Sequence, residues 1–555
     1  MKASIRRYVC ALWFLPGMMA GTLAAQPSPV GFTDVTGTSG IDFRYTFGDR
    51  TYENILESSG SGVTVFDYDG DGDLDLYLLN GTYLEGISDL EGRVFQDTPN
   101  RLYRNNGDGT FTEVAQRVGV DDRHWSMAAE ALDYDGDGDV DLYLLNYGPN
   151  VFYRNNGDGT FTEVTERLGL QGPETLHGFT TWSVGAAFWD YNGDGALDVT
   201  VCNFLAFDPA VVSPGNPELM PHPAMYQGQA SLLYRQEPDG RFTDVTRDVG
   251  LFYPDSKCMG MTVFDYDDDG DLDLFQGNDH QENFLFRNDG EDGFREVGRA
   301  AGVAVNDQGL PTGSMHGSIG DIDGDGLIDI LVVDLRHGAL YRNLGNGAFE
   351  DVTASSGVAR FFAGMGAWAA AFFDYDNDGD LDIFSANGAA DELILQRPLL
   401  LENDGTGRFR DVGARRGDYF RAERSGRGGA VWDYDDDGDL DIIVSHVDLR
   451  ATATLLRNDG DNGNHWLGLT LVGRRGAASA IGARVTIRAG DHQQVLVNQW
   501  ATSYLSSNDP RLHVGLGSNE RVDRLEIRWT NGHTEVFRDV EADRYLTVVQ
   551  GRGLQ

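Results

Sequence analysis

Asp67-Tyr68-Asp69-Gly70-Asp71-Gly72-Asp73-Leu74-Asp75 sets five carboxylates at alternate positions of a nine-residue stretch, with glycines between them. An apolar run enters it, Gly62-Val63-Thr64-Val65-Phe66, and another leaves it, Leu76-Tyr77-Leu78-Leu79. Such flanks read as two strands buried on both faces, and the aspartate stretch as their hairpin. The stretch returns from Asp133, Asp190, Asp265, Asp321, Asp374 and Asp433, at intervals of 66, 57, 75, 56, 53 and 59 residues. Each interval holds four short strands and their turns.

Two further patterns keep step with it. F-x-[DE]-V begins at Phe32, Phe111, Phe161, Phe242, Phe294, Phe349 and Phe409. A pattern like Tyr103-Arg104-Asn105-Asn106-Gly107-Asp108-Gly109 recurs from Tyr153, Tyr234, Phe286, Tyr341, Leu401 and Leu456. Its Asn-Gly-Asp-Gly reads as a turn, and the residues after it as an outer strand. Repeats of this length and rhythm predict an all-β fold, a seven-bladed β-propeller. The last unit lacks its own F-x-[DE]-V strand, and Phe32–Val35 precedes the first aspartate loop. That first strand would complete the last blade and close the ring, leaving no free sheet edge. The alternative is an open solenoid. Beyond about residue 462 the repeat stops, and strand-like alternation continues to residue 550. The division expected is a signal peptide over 1–25, a propeller over 26–462 and a small β-sandwich-like domain over 463–555.

The aspartate loops suit a hard cation. Calcium takes six to eight oxygens at about 2.3–2.6 Å. Side-chain ligands stand at position 1 (Asp67, Asp133, Asp190, Asp265, Asp321, Asp374, Asp433) and position 3 (Asp69, Asp135, Asn192, Asp267, Asp323, Asp376, Asp435). Position 5 adds Asp71, Asp137, Asp194, Asp269, Asp325, Asp378 and Asp437, and position 9 adds Asp75, Asp141, Asp198, Asp273, Asp329, Asp382 and Asp441. Position 7 holds Asp73, Asp139, Ala196, Asp271, Leu327, Asp380 and Asp439, so its contribution is a backbone carbonyl. Up to seven Ca2+ ions are expected. Magnesium demands stricter octahedral geometry and keeps its waters. Zinc is disfavoured because no histidine or cysteine enters the loops.

The formal charge of −45, from 88 acidic against 43 basic residues, argues against nucleic acid and anionic membrane as partners. Lys2, Arg6 and Arg7 followed by an apolar run to about Leu23, then Leu23-Ala24-Ala25, read as a secretory signal cleaved before Gln26. No other stretch is long and apolar enough to span a bilayer. Cys10 leaves with the signal, while Cys202 and Cys258 either pair or stay as buried thiols.

The aspartate loops resemble FG-GAP/VCBS repeats over about residues 31–462. The C-terminal segment resembles the ASPIC/UnbV domain, on Ala480-Ile481-Gly482-Ala483-Arg484-Val485, Ser503-Tyr504-Leu505-Ser506-Ser507-Asn508-Asp509, Arg511–Gly517 and Leu525–Gly532. Thr530-Asn531 stands where that family usually has Pro-Ser after the tryptophan. Together the two parts resemble the cartilage acidic protein family. The resemblance implies calcium binding and an extracytoplasmic place, secreted, periplasmic or on the cell surface, and no firm activity.

Two functional readings follow. One is a non-enzymatic binding or adhesion module for a protein or carbohydrate ligand, with calcium structural. The other is an enzyme acting on a carbohydrate or secondary metabolite in the central funnel, walled by His124, His177, His222, His280, His316, Trp125 and Trp182. No nucleophile–base pair or cofactor motif supports catalysis, so the binding reading is preferred. Asn80, Asn146, Asn203, Asn278, Asp334, Asn387 and His446 occupy matching positions after each loop, and they read as strand-end caps or inter-blade bonds, with a ligand-binding ring as the alternative. The proline-rich insertion Ala206–Gln229 reads as a loop over one face. Arg416-Gly417-Asp418 reads as a chance tripeptide.

Overall fold

A computed structural model describes residues 31–216, 219–390, 393–460, 462–474, 480–499 and 501–555. The signal reading of residues 1–25, with Cys10, lies outside them, as does Pro217 of the insertion. Each repeat is a four-stranded antiparallel sheet. In the first blade the strands are Val63–Phe66, Asp75–Leu78, Arg101–Asn105 and Phe111–Glu113, from the axis outward. Six more four-stranded units repeat this order, those of blades 4 and 5 joined where Asp279 and Gln281 pair with Gly313 and Thr312, with innermost strands Trp125–Leu132, Ser183–Trp189, Cys258–Phe264, Thr312–Gly320, Ala367–Phe373 and Gly426–Trp432. The aspartate stretch joins the two innermost strands in every blade. The Asn-Gly type turn joins the two outermost, so both hairpin sets lie on one face.

The ring closes as the sequence predicts. Phe32, Thr33 and Asp34 pair with Asn458, Arg457 and Leu456 as the outer strand of blade 7. The recurring phenylalanine has a packing reason. The ring at Phe32, Phe111, Phe161, Phe294 and Phe349 contacts the position 2 tyrosine in the aspartate loop of the neighbouring, preceding blade of the ring. The pairs are Tyr375, Tyr434, Tyr68, Tyr191 and Tyr266, with centroids 6.0–6.4 Å apart. A stitching asparagine adds a hydrogen bond at the same seam. Asn155 Nδ2 donates to Tyr68 O of blade 1 at 2.8 Å and to Val140 O of its own loop at 3.1 Å.

The C-terminal strands make two four-stranded sheets. One contains His465–Val472, Leu512–Gly517, Tyr545–Val549 and Gly553–Leu554; the other contains Arg484–Ala489, His492–Val497, Arg521–Arg528 and Thr534–Glu541. Their facing sides bury one apolar cluster that includes Leu467, Val485, Leu525 and Trp529. This is the expected sandwich. The segment between its strands behaves otherwise. Ala501–Ser503 and Ser506–Ser507 form a hairpin that leaves the sandwich and enters the propeller axis, where Ser507 pairs in parallel with Thr64. It meets the innermost strands of blades 1 to 7.

The funnel expectation is corrected in part: the channel itself is filled, and a cavity remains at the mouth opposite the aspartate loops. The hairpin fills the channel, with Tyr504 fully buried against Trp368 at 5.0 Å between ring centroids. Trp125 and Trp182 both lie in the core. His124 binds Asp122, His177 binds the Pro254 carbonyl, and His316 is buried. The rings of His222 and His280 lie 4.1 Å apart, tilted by 46°, on the face opposite the aspartate loops, beside a cavity of about 470 Å³. The polar positions after each loop are internal braces: Asn146, Asn203, Asn278 and Asn387 each donate to a carbonyl just before the third strand of their own blade. Arg416 packs over Tyr375 and pairs with Glu402, so the tripeptide is not displayed as a unit. Cys202 and Cys258 form a disulfide between the second strand of blade 3 and the first of blade 4.

Candidate metal centre

The loop conformation follows from its own short-range hydrogen bonds. The position 1 carboxylate accepts from the backbone amides of later loop residues; for Asp67 these are Gly70 at 2.8 Å and Gly72 at 3.0 Å. The position 5 carboxylate accepts from the amide of position 7, as Asp71 does from Asp73 at 3.0 Å. Ala196 and Leu327 keep that bond with Asp194 and Asp325, which explains why the side chain at position 7 varies. The glycine at position 4 of the first loop has φ +72° and that at position 6 has φ +97°, the left-handed region where a Cβ is costly. Position 9 ties the loop to the blade. Asp75 accepts from Tyr68 N at 2.9 Å and from Asn105 N at 2.8 Å, and the pattern repeats at Asp141, Asp273, Asp329, Asp382 and Asp441. Asp198 has one such bond, from Gln236 N.

These bonds converge the carboxylates. Oxygens of Asp67, Asp69 and Asp71 lie within 4.8 Å of one another, as do those of Asp133, Asp135 and Asp141. The same holds for Asp265, Asp267 and Asp269, for Asp321, Asp323 and Asp325, and for Asp374, Asp376 and Asp382. Burial is the main force on their protonation, with neighbouring carboxylates adding to it. Asp75, Asp141, Asp198, Asp273 and Asp329 are pushed up to about 8, and Asp374, Asp382 and Asp441 well above the usual range. Buried oxygens without a hydrogen-bond partner remain on Asp69, Asp198, Asp267, Asp321 and Asp376. A buried orphan acceptor costs about 1–3 kcal/mol, more when charged. An all-oxygen donor set with orphan acceptors aimed inward fits a hard divalent cation, and the residues of positions 1, 3, 5, 7 and 9 would hold it.

The sequence did not reveal what covers the loops. The C-terminal sandwich sits on the aspartate face, over blades 4 to 7. Arg528 pairs with Asp265 at 3.0 Å and Asp268 at 2.6 Å, and Arg484 donates to Gly326 O. Gln494 donates to Gly379 O at 3.1 Å, and His513 Nε2 meets Asn377 Oδ1 at 2.8 Å. Tyr545 donates its hydroxyl to Asp433 Oδ2 at 2.6 Å, and Arg511 donates to Asp433 O at 2.8 Å. Among the described residues, none of the loops 67–75, 133–141 and 190–198 hydrogen-bonds to that domain.

The uncovered half carries a groove at one seam. Six units use asparagine to stitch to the preceding blade at 2.8–3.0 Å. The third unit has Gln236, one methylene longer, whose Nε2 reaches Tyr134 O at 3.3 Å. Tyr134 packs edge-on against Phe152 of its own blade, at 5.0 Å. The Gln236 bond is longer than the six asparagine bonds, and a groove of about 670 Å³ lies at this seam between the loops of blades 2 and 3. Asp135, Arg167, Asp194, Gln236, Glu237 and Arg241 line it.

Two family models match this chain. FG-GAP-like repeats match residues 90–144, 133–201, 265–332 and 321–385, and the ASPIC and UnbV family matches 473–555. Cartilage acidic protein 1 of Mus musculus is 28% identical over 292 residues, 50% of this chain and 42% of the relative. The Homo sapiens protein is 29% identical over 292 residues, 50% of this chain and 41% of the relative. The matched stretch thus spans about two fifths of those relatives. Among solved structures, an Agrocybe aegerita lectin recognising non-reducing terminal N-acetylglucosamine has a TM-score of 0.38 at 16% identity, covering 66% of this chain and 82% of the lectin. The fucose-specific lectin of Aleuria aurantia has a TM-score of 0.32 at 14% identity, covering 63% and 94%. No helix among the described residues is long and apolar enough to cross a membrane.

Proposed function

We propose that this chain, which carries FG-GAP-like repeats and an ASPIC and UnbV domain, is an exported calcium-binding propeller that works as a binding module. Calcium is structural in this reading. It compensates the clustered carboxylates and so rigidifies the hairpins on which the ligand surface stands. Export is supported by the Cys202–Cys258 disulfide, which persists in oxidising compartments.

The observation that favours binding over catalysis inside the channel is the hairpin 501–507, which occupies the axis. The groove between blades 2 and 3 is the place we assign to the ligand. Arg167, Gln236 and Arg241 offer donors there, and Asp135 and Glu237 offer acceptors. Convergent donors and acceptors around Pro238 suit a polyhydroxylated carbohydrate.

An array of neutral and acidic oligosaccharides, probed with the full chain in calcium and in EDTA, tests this. Calcium-dependent binding that Gln236→Asn weakens at least tenfold is the expected result. Binding that survives both changes would place the ligand elsewhere.

A further inference from the structure

The C-terminal domain and the aspartate face are matched in charge. Residues 463–555 carry 11 arginines against 9 acidic residues, a net +2, whereas residues 1–462 carry −47 of the chain's −45 total. The contacts fall on the loops themselves and largely on their backbone. Arg484, Gln494 and Arg511 donate to the carbonyls of Gly326, Gly379 and Asp433, and the Gly517 amide donates to Asn377 O at 2.9 Å. Asn462 and Asn464 both donate to Asp376 O. Close steric fit accompanies these bonds. A Cβ on Gly515 would lie 2.0 Å from Asp374 Oδ2 and 2.6 Å from the Asn377 backbone.

A surface that reads loop backbone depends on the loop conformation. A cation within a loop holds that conformation against the mutual repulsion of its carboxylates. Domain docking and cation binding therefore favour the same loop geometry, and by linkage each strengthens the other. Among the described residues, the three loops outside the footprint make no hydrogen bond to the domain, and so lack this direct coupling. We infer that the C-terminal domain is a calcium-linked clamp that divides the seven cation sites into a tight class of four, in blades 4 to 7, and a weaker class of three, in blades 1 to 3. Tyr545, Gln494 and Arg511 are positioning residues for the tight class. Arg528, a positive charge on the position 1 ligand Asp265, makes blade 4 the weakest of the four. The inference rests on the reading that these loops hold calcium.

The test is a calcium titration of the EGTA-stripped full chain by isothermal calorimetry. Four ions binding at least tenfold more tightly than the remaining three is the expected result. Gly515→Ala, which wedges the interface, should weaken the tight class at least tenfold and leave the three weaker sites unchanged. Those three sites also report that the propeller is folded. Tyr545→Phe, which deletes only the hydroxyl on Asp433, should weaken one tight site. A single class of seven, or an equal shift of all sites in Gly515→Ala, would overturn the clamp while leaving calcium binding intact. No calcium bound at all would overturn the underlying reading instead.

Discussion

The ring of Tyr504, from the C-terminal domain, packs against Trp368 of blade 6 at 64° between ring planes, 5.0 Å between centroids. The Trp368 face also carries the fully buried Arg427 guanidinium, 4.0 Å away. Arg427 has no carboxylate partner among its described hydrogen bonds; it donates to the carbonyls of Ser58, Gly426 and Ala389 and to Tyr52 Oη. The axis of the propeller is thus a second core, built from segments far apart in the chain.

Tyr504→Ala should accordingly act as a core truncation. Emptying a buried aromatic site costs about 3–5 kcal/mol. Urea unfolding in saturating calcium should show a loss of that size. A loss under about 1 kcal/mol would mean that the hairpin is peripheral to stability.

Glu130 gives a pH signature of the same contact. It lies buried beside the hairpin, with Ser507 Oγ at 3.3 Å and Ala186 N at 3.4 Å. Burial pushes its carboxyl from about 4.5 up to about 8, against the weaker pull of those two donors. The folded state then binds the proton more tightly than the unfolded one. The stabilisation is complete below the unfolded value and is lost as pH rises to about 8, at about 1.4 kcal/mol per unit. Glu130→Gln should remove this slope, so the variant gains on the parent between pH 5 and pH 8 in urea unfolding. Parallel profiles for the two proteins would place Glu130 outside the hairpin contact.

Much of this molecule was legible in its sequence because repetition amplifies weak signals. A lone Asp-Gly hairpin says little, but seven in step with Phe-x-acid-Val strands fixed the blades, and Phe32–Val35 without a preceding loop foretold the closure. The variants Ala196 and Leu327 showed that position 7 needs no side-chain oxygen, and its amide keeps the bond to position 5 in both. What stayed hidden has no period. Tyr504 and Leu505 look like strand residues of the sandwich, and only a channel some hundreds of residues away in sequence explains their burial. Arg484, Arg511 and Arg528 look like ordinary surface charge until the aspartate face is placed beneath them. Gln236 departs from the asparagine of the other six units, and what it does at the seam depends on the carbonyl of Tyr134 in another blade.

The central claim is that the aspartate loops are calcium sites that the fold requires. Metal analysis of the full chain after gel filtration, paired with thermal unfolding before and after EGTA, tests it most directly. The account predicts about seven calcium ions per chain, one for each loop, and a fall in Tm of several degrees on chelation that added calcium reverses. A chain without bound calcium, or with the same Tm in EGTA and in calcium, would contradict it.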